Sequence, residues 1–399
     1  MRIKVVKKIA DGKNSSKQTD RDGKDAASAQ TASAREGQVS GNIGDYEKWA
    51  LEQKSKIAVS AKLKAILDKD AESFEFFKKD GIKVNMNEFL SRLIVNYHSS
   101  YRAARKSVIK MLEEAIVAVF PSEDENASDA ALKFVNKAMQ EQFSDSGDKL
   151  GKSVSFKPTE KTKPIIGRVV AEELGDTTYS EYFRGMFESY AALPQDEREK
   201  IIFAEEYEAI ARAIENGKQL LIATKKNPSK HFVVSPYAVV SSKEELHCYM
   251  LATTLKGKCT PFRLSRVASA IERDERVSFK QEHEDMFKRM IENAPQYLYS
   301  ADEKEAIVEL TPMGEKLFKS LYMNRPKPTK VDGNLYHFNS SYMQLKQYFC
   351  RFGKEAMIRE PAKLRHMIAN FHREASDAYA ACERDSKQDG FEKTDAPEK

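Results

Sequence analysis

Two segments of the chain carry the same pattern of apolar positions. In Asn85–Tyr97 the apolar residues are Phe89, Leu90, Leu93, Ile94 and Tyr97. In Thr178–Tyr190, 93 residues later, they are Tyr182, Phe183, Met186, Phe187 and Tyr190. Positions i, i+1, i+4, i+5 and i+8 form one stripe of an amphipathic helix. Both copies open on a start signal: Asn85 and Thr178 are N-cap residue types, and Glu88 and Glu181 follow three positions on as capping-box partners. A short alternating strand stands upstream of each copy, Lys56–Ser60 with Ile57 and Val59 apolar, and Ser153–Lys157 with Val154 and Phe156 apolar. The unit is strand, helix, helix, and it occurs twice. Further helical patterns follow at Arg102–Val119, Ala130–Phe143 and Asp196–Glu215.

From Lys218 the pattern changes. The runs QLLIAT, HFVVS, AVVSS, CYMLATT and TPFRL are short and rich in β-formers, with turns at Asn227-Pro228 and Lys256–Lys258. They predict a small antiparallel barrel or sandwich. From residue 301 strands and helices alternate (AIVELT, GEKLFKSLY, LYHFNS, YMQLKQYFCRF, EAMIRE, then a long helix from Pro361), which predicts a compact α+β unit. The predicted division is a disordered polar tail over 1–45, a helical domain with two repeats over 46–217, a β domain over 218–295, an α+β extension over 296–383 and a polar tail over 384–399. Residues 11–45 hold only Val39 and Ile43 as large apolar residues, too little burial to offset ordering entropy.

Composition narrows the function. The 399 residues are 41% hydrophobic and 32% charged, yet the net charge is only +5, so a polyanion partner must be sought in local clusters of Lys and Arg. No apolar run approaches the roughly 18 residues of a membrane span. Met1–Ala10 carries Arg2, Lys4, Lys7 and Lys8 without an apolar segment after them, and the four cysteines form no CxxC pair. The expectation is a cytoplasmic protein with no membrane partner. No HExxH, GxSxG, Walker loop or GxGxxG opening a helix is present, and no cysteine has ligand-spaced partners. We therefore expect no catalytic residues, no metal and no cofactor.

The repeated strand–helix–helix unit resembles the ribbon-helix-helix family, in which two copies pair their strands into a ribbon. That resemblance implies Ile57, Val59, Val154 and Phe156 facing inward, and Lys56, Ala58, Ser60, Ser153, Ser155 and Lys157 facing a groove. It also implies helix N-termini at Asn85 and Thr178 able to hold a phosphate. The insertion over 102–150 departs from the family. The stretch VVSPYAVVSS…LHCYMLATTLKGKCTPFRLSRV resembles a WYL domain: Pro236 follows the second strand, Cys248-Tyr249-Met250 occupies the name-giving tripeptide with only the Tyr kept, and Phe262–Arg266 is the arginine-bearing strand with Ser265 in the Asp position. The resemblance implies an Sm-like β-barrel with a polar pocket for nucleic acid or a ligand. The segment FGKEAMIREPAKLR, Phe352–Arg365, resembles the extension that follows WYL domains and implies a ferredoxin-like dimerisation unit.

Together these parts resemble the WYL-domain accessory proteins of type VI-D CRISPR systems. Membership would imply a homodimer that binds single-stranded RNA and stimulates an RNA-guided CRISPR nuclease. The candidate binding residues are Arg263, Arg266, Tyr249, Ser265, His231, Lys225, Lys56 and Lys157. From spacing alone Arg263 and Arg266 read as solvated arginines, and both reach one site only if the strand ends or bulges near Leu264. Tyr249 reads equally as a stacking ring or a core tyrosine; His231 and Lys225 read first as structural and turn residues. The alternative function is a DNA-binding transcriptional regulator with a ligand-sensing WYL pocket. A metal-independent nuclease ranks below both. Tyr336, Phe338, Tyr342 and Phe349 crowd one stretch and read as apolar surface for a second copy.

Overall fold

The computed structural model describes residues 43–119, 127–144, 150–175, 177–300 and 302–391, and the expected tails fall mostly outside them. The chain divides into two compact units, Met1–Pro194 and Gln195–Lys399. It is a mixed α+β protein whose sheets are antiparallel.

In the first unit β1 (Ser55–Val59) pairs with β2 (Lys152–Phe156), and Ile57 lies opposite Val154 at the centre of the ladder. Period-two alternation sends Ile57, Val59, Val154 and Phe156 into the core and leaves Lys56, Ala58, Ser153 and Ser155 on the other face. Each strand feeds a helix, Ala61–Ser73 or Lys163–Arg168, and then a second helix, Met86–Val119 or Tyr179–Ala191. All ten residues of the repeated stripe are buried. Tyr190 meets Phe89 and Tyr97 edge-on at centroid distances of 6.3 and 6.1 Å, so the two stripes pack on each other.

Met86–Val119 is one continuous helix rather than two, because no proline or glycine falls in it and His98 and Tyr101 extend the buried stripe. A π-helical turn, Val169–Glu173, aims the Glu173 carboxylate at that extension. Glu173 accepts the Tyr182 hydroxyl at 2.5 Å, lies 3.1 Å from His98 Nε2 and pairs with Arg102 Nε at 2.8 Å.

The second unit begins earlier than expected. The helices Gln195–Ile202 and Ala204–Glu215, assigned by sequence to the helical domain, pack with the sheet that follows. That sheet holds β3 (Lys218–Thr224), β4 (Asn227–Ser241), β5 (Cys248–Thr254), β6 (Cys259–Arg263) and β7 (Val267–Arg276) in the order β6-β5-β4-β3-β7. The expected runs HFVVS and AVVSS are one strand, β4; Pro236 is accommodated where the register slips between Pro236 and Ala238. The expected closed Sm-like barrel is not what the ladder shows. The sheet is open, with β6 and β7 as edges, and the short β6 turns directly into β7 through the 3-10 turn Leu264–Arg266. The helix Gln281–Glu292 then covers one face, with Phe287 and Met290 packed among Tyr249 and Leu251.

The last part alternates β8 (Ala306–Leu310), a helix, β9 (Pro328–Asp332), β10 (Leu335–Phe338), a helix, β11 (Ala356–Glu360) and the helix Ala362–Phe391. The strand order is β11-β8-β10-β9. Tyr336, Phe338, Tyr342 and Phe349, expected on the surface, are buried with Phe318, Tyr348 and Phe352 in this core. A four-stranded sheet needs those rings to fill the space under its helices. The final helix also runs to Phe391, into the expected tail, since no proline interrupts it.

Candidate nucleic-acid interface

The ladder between β5 and β6 sets Tyr249 directly opposite Arg263. Tyr249 is buried, and its hydroxyl donates to Glu245 Oε2 at 2.7 Å. Burial, then that carboxylate, holds the phenol above its ordinary range, so the ring is a fixed donor inside a core. Helix Gln281–Glu292 occupies the face on which a base would have stacked.

Arg263 is half-buried. Its Nη2 lies 2.9 Å from His247 Nε2 and 3.3 Å from Nδ1, within hydrogen-bonding distance of both ring nitrogens. His247 Nδ1 is in turn 3.4 Å from Glu199 Oε2. Glu199 is fully buried and accepts two backbone N–H groups, Cys248 at 2.7 Å and Ser265 at 3.2 Å. The run Glu199–His247–Arg263 fixes the guanidinium from behind. Ser265 lies wholly in the interior, serving this run through its backbone. Sequence reasoning missed Glu199, Glu245 and His247. Gln195, Arg198, Glu199 and Ile202 are the buried face of their helix, but three of the four are polar, which hides that face from a search for apolar periodicity.

Arg266 leaves the 3-10 turn on the other side and is exposed. Its carbonyl accepts the Lys225 N–H at 2.9 Å. That bond joins the β3–β4 turn to the β6–β7 turn, so Lys225 and Lys226, both exposed, stand beside Arg266. Lys225 Nζ also rests 4.6 Å from the Phe203 ring centroid. His231 is exposed on β4 opposite Ala223, one ladder position from the Thr224 end of the hairpin. Next to it, Phe232 meets Phe262 of β6 at a centroid distance of 5.8 Å, and both rings are half-buried. The eight predicted residues therefore separate into an inner pair with Ser265, an outer cationic ridge with His231, and two lysines in the first unit.

Those two are Lys56, half-buried on the outer ribbon face opposite Ser155, and Lys157, exposed just past β2 with its N–H donated to Asn87 Oδ1 at 2.6 Å. Ser60 does not face a groove; it caps the following helix by accepting the Leu63 N–H at 3.1 Å. The helix ends at Asn85 and Thr178 carry carboxylates. Glu181 accepts the Thr178 N–H at 2.8 Å, and Glu88 accepts Asn85 Nδ2 at 2.9 Å. A carboxylate at a helix N-terminus takes the position a phosphate would use.

Among the described residues no group of three or more His, Cys, Asp or Glu is placed to hold a metal ion, and no helix is long and apolar enough to cross a membrane. Burial pushes the Cys248 thiol up to about 12 and the Cys259 thiol up to about 11, so neither is a thiolate at neutral pH.

No family model matches the chain, and no curated protein matches it. Among solved structures it is similar to one described as a CRISPR Cas-related protein, with a TM-score of 0.55, 19% identity, and coverage of 82% of this chain and 94% of that one. It also matches proteasome accessory factor B/C of Arthrobacter aurescens, with a TM-score of 0.22, 18% identity, and coverage of 55% and 38%. At 19% identity the first likeness shows the fold.

Proposed function

We propose that this chain is a non-catalytic accessory protein of a CRISPR system, which binds single-stranded RNA in the cytoplasm and stimulates an RNA-guided, RNA-targeting nuclease. The observation that carries the RNA part is the Lys225 N–H to Arg266 carbonyl bond, which gathers Lys225, Lys226 and Arg266 into one exposed ridge. Clustered cations of this kind neutralise phosphates and release counterions. The CRISPR setting draws on the solved neighbour of the same fold. The WYL reading of 218–295 draws on Pro236, Tyr249 and the Phe262–Arg266 strand, and the ferredoxin-like reading of the last unit on its β11-β8-β10-β9 order.

Fluorescence polarisation across salt tests this. Single-stranded RNA is expected to bind more tightly than duplex DNA of matched length. The triple variant K225A/K226A/R266A is expected to flatten the log–log salt slope by roughly 0.7 for each lost phosphate contact. Equal or tighter binding of random duplex DNA would transfer the reading to a DNA-binding regulator. The paired ribbon with Lys56 and Lys157 favours that second reading, while the capping glutamates at both helix ends oppose it.

The accessory role includes a homodimer, and the final helix offers its surface. Leu364, Ile368, Phe371, Ala375, Ala378 and Cys382 follow alternating steps of four and three residues, the spacing of a coiled-coil seam. Leu364 and Ile368 pack in the core, whereas Phe371 is 43% exposed and neighbouring Tyr379 77%. A second copy laid along this seam would cover them. Light scattering should report a dimer for the full chain and a monomer for F371E and Y379E. A wild-type monomer at micromolar concentration removes the dimer.

A further inference from the structure

We infer that Phe232 and Phe262 stack on unpaired bases and thereby make the cationic ridge selective for single strands; the inference rests on the ridge being the nucleic-acid site. The rings lie on strands that are not ladder neighbours. Phe262 faces Met250 of β5, which faces Val239 of β4, whereas Phe232 is seven residues from Val239. Their 5.8 Å approach therefore spans the open side of the sheet, where β6 is the edge strand among the described residues.

The cations stand at the same end. Phe232 is opposite Ile222, two positions from Thr224, which precedes Lys225, and Phe262 is two residues from the turn that carries Arg266. The charges at that end are Lys225, Lys226 and Arg266, since Arg263 is held on His247. Core rings of this unit such as Phe287 and Phe338 are completely buried, but these two keep part of their surface at an open edge beside the ridge. Rings flanked by cations are the arrangement by which single strands are held: phosphates run along the charges while base faces stack on the rings. A duplex keeps its base faces stacked internally, so only its phosphates meet the ridge.

The test uses the full chain, leucine variants that keep apolar bulk, and two probes: a short oligoribonucleotide and an abasic sugar-phosphate strand of equal length. F232L and F262L are each expected to lose roughly tenfold in affinity for the oligoribonucleotide. Their salt slope, duplex affinity and melting temperature should match wild type. Wild type should bind the abasic strand more weakly than either single leucine variant binds RNA, because an abasic strand gives up stacking on both rings. F262W adds a direct readout, since a stacked base quenches an indole and Trp49 is the only other one in the chain. Equal wild-type affinity for abasic and base-bearing strands overturns the stacking role while leaving the ridge intact. So does unchanged F262W emission on saturation with RNA, or leucine variants that melt early yet bind RNA normally. Failure of wild type to bind either strand overturns the ridge reading and this inference with it.

Discussion

Replacing Glu199 with alanine is expected to destabilise the second unit by about 3–5 kcal/mol, the range for removing one member of a buried charged network. The carboxylate is fully buried and accepts the N–H groups of Cys248 and Ser265. Deleting it strands both donors, at about 1–3 kcal/mol each, and withdraws the group behind His247. E199Q keeps one acceptor oxygen and should fall about midway. Chemical denaturation at constant m reads the difference as a shift in midpoint. A change below about 1 kcal/mol in E199A would mean that water or a rearranged strand end satisfies the two N–H groups. With the relay gone, Arg263 also loses its fixed seat, so RNA affinity measured in E199Q under folding conditions separates positioning from stability.

The same residues show why the sequence disclosed some parts of this protein and hid others. The duplicated unit was legible because its stripe and caps are local: ten buried positions and two N-cap residues all lie within 13-residue windows. The pairing of the two strands was implied by the family resemblance and not by the pattern, since every even shift of register keeps Ile57, Val59, Val154 and Phe156 on one face; the ladder selects Ile57 opposite Val154. Strands β7 and β9 were hidden. The second half of β7 reads Glu-Arg-Asp-Glu-Arg and β9 has Val331 as its only large apolar residue, so edge strands looked like loops. The aromatic run Tyr336–Phe349 misled in the other direction, because a count of rings does not say which face a sheet turns inward.

Within the site, spacing left Arg263 and Arg266 ambiguous, and the 3-10 turn between them explains it. One arginine turns inward onto His247 and the other outward to solvent. Lys225 looked like an ordinary turn lysine until its backbone was found bonded to a carbonyl 41 residues away. Contacts of that range, like the reach of Glu199 to residues 248 and 265, leave no local trace in the chain.

A pH-dependent effect is expected at Glu188, on the inner side of helix Tyr179–Ala191. The residue is 8% exposed, and burial, only partly offset by Arg184, pushes its carboxyl up from the usual 4.5 to about 7. A carboxyl whose folded value lies above its unfolded one binds its proton more tightly in the native state. Its contribution is therefore most favourable below about pH 4.5, declines between 4.5 and 7, and becomes a full penalty above 7. A displacement of that size corresponds to about 3 kcal/mol, an upper figure given partial solvent access. E188Q abolishes the titration while keeping the shape. It should melt higher than wild type at pH 8 and show little difference at pH 5, with the crossover tracking the carboxyl's own titration. The neighbouring phenol gives a second readout: the Glu188 charge is one of the influences raising Tyr101, after burial, so the Tyr101 titration near 12 should move down in E188Q. An equal gain at both pH values would mean that the amide stabilises by a new hydrogen bond and not by removing a buried charge.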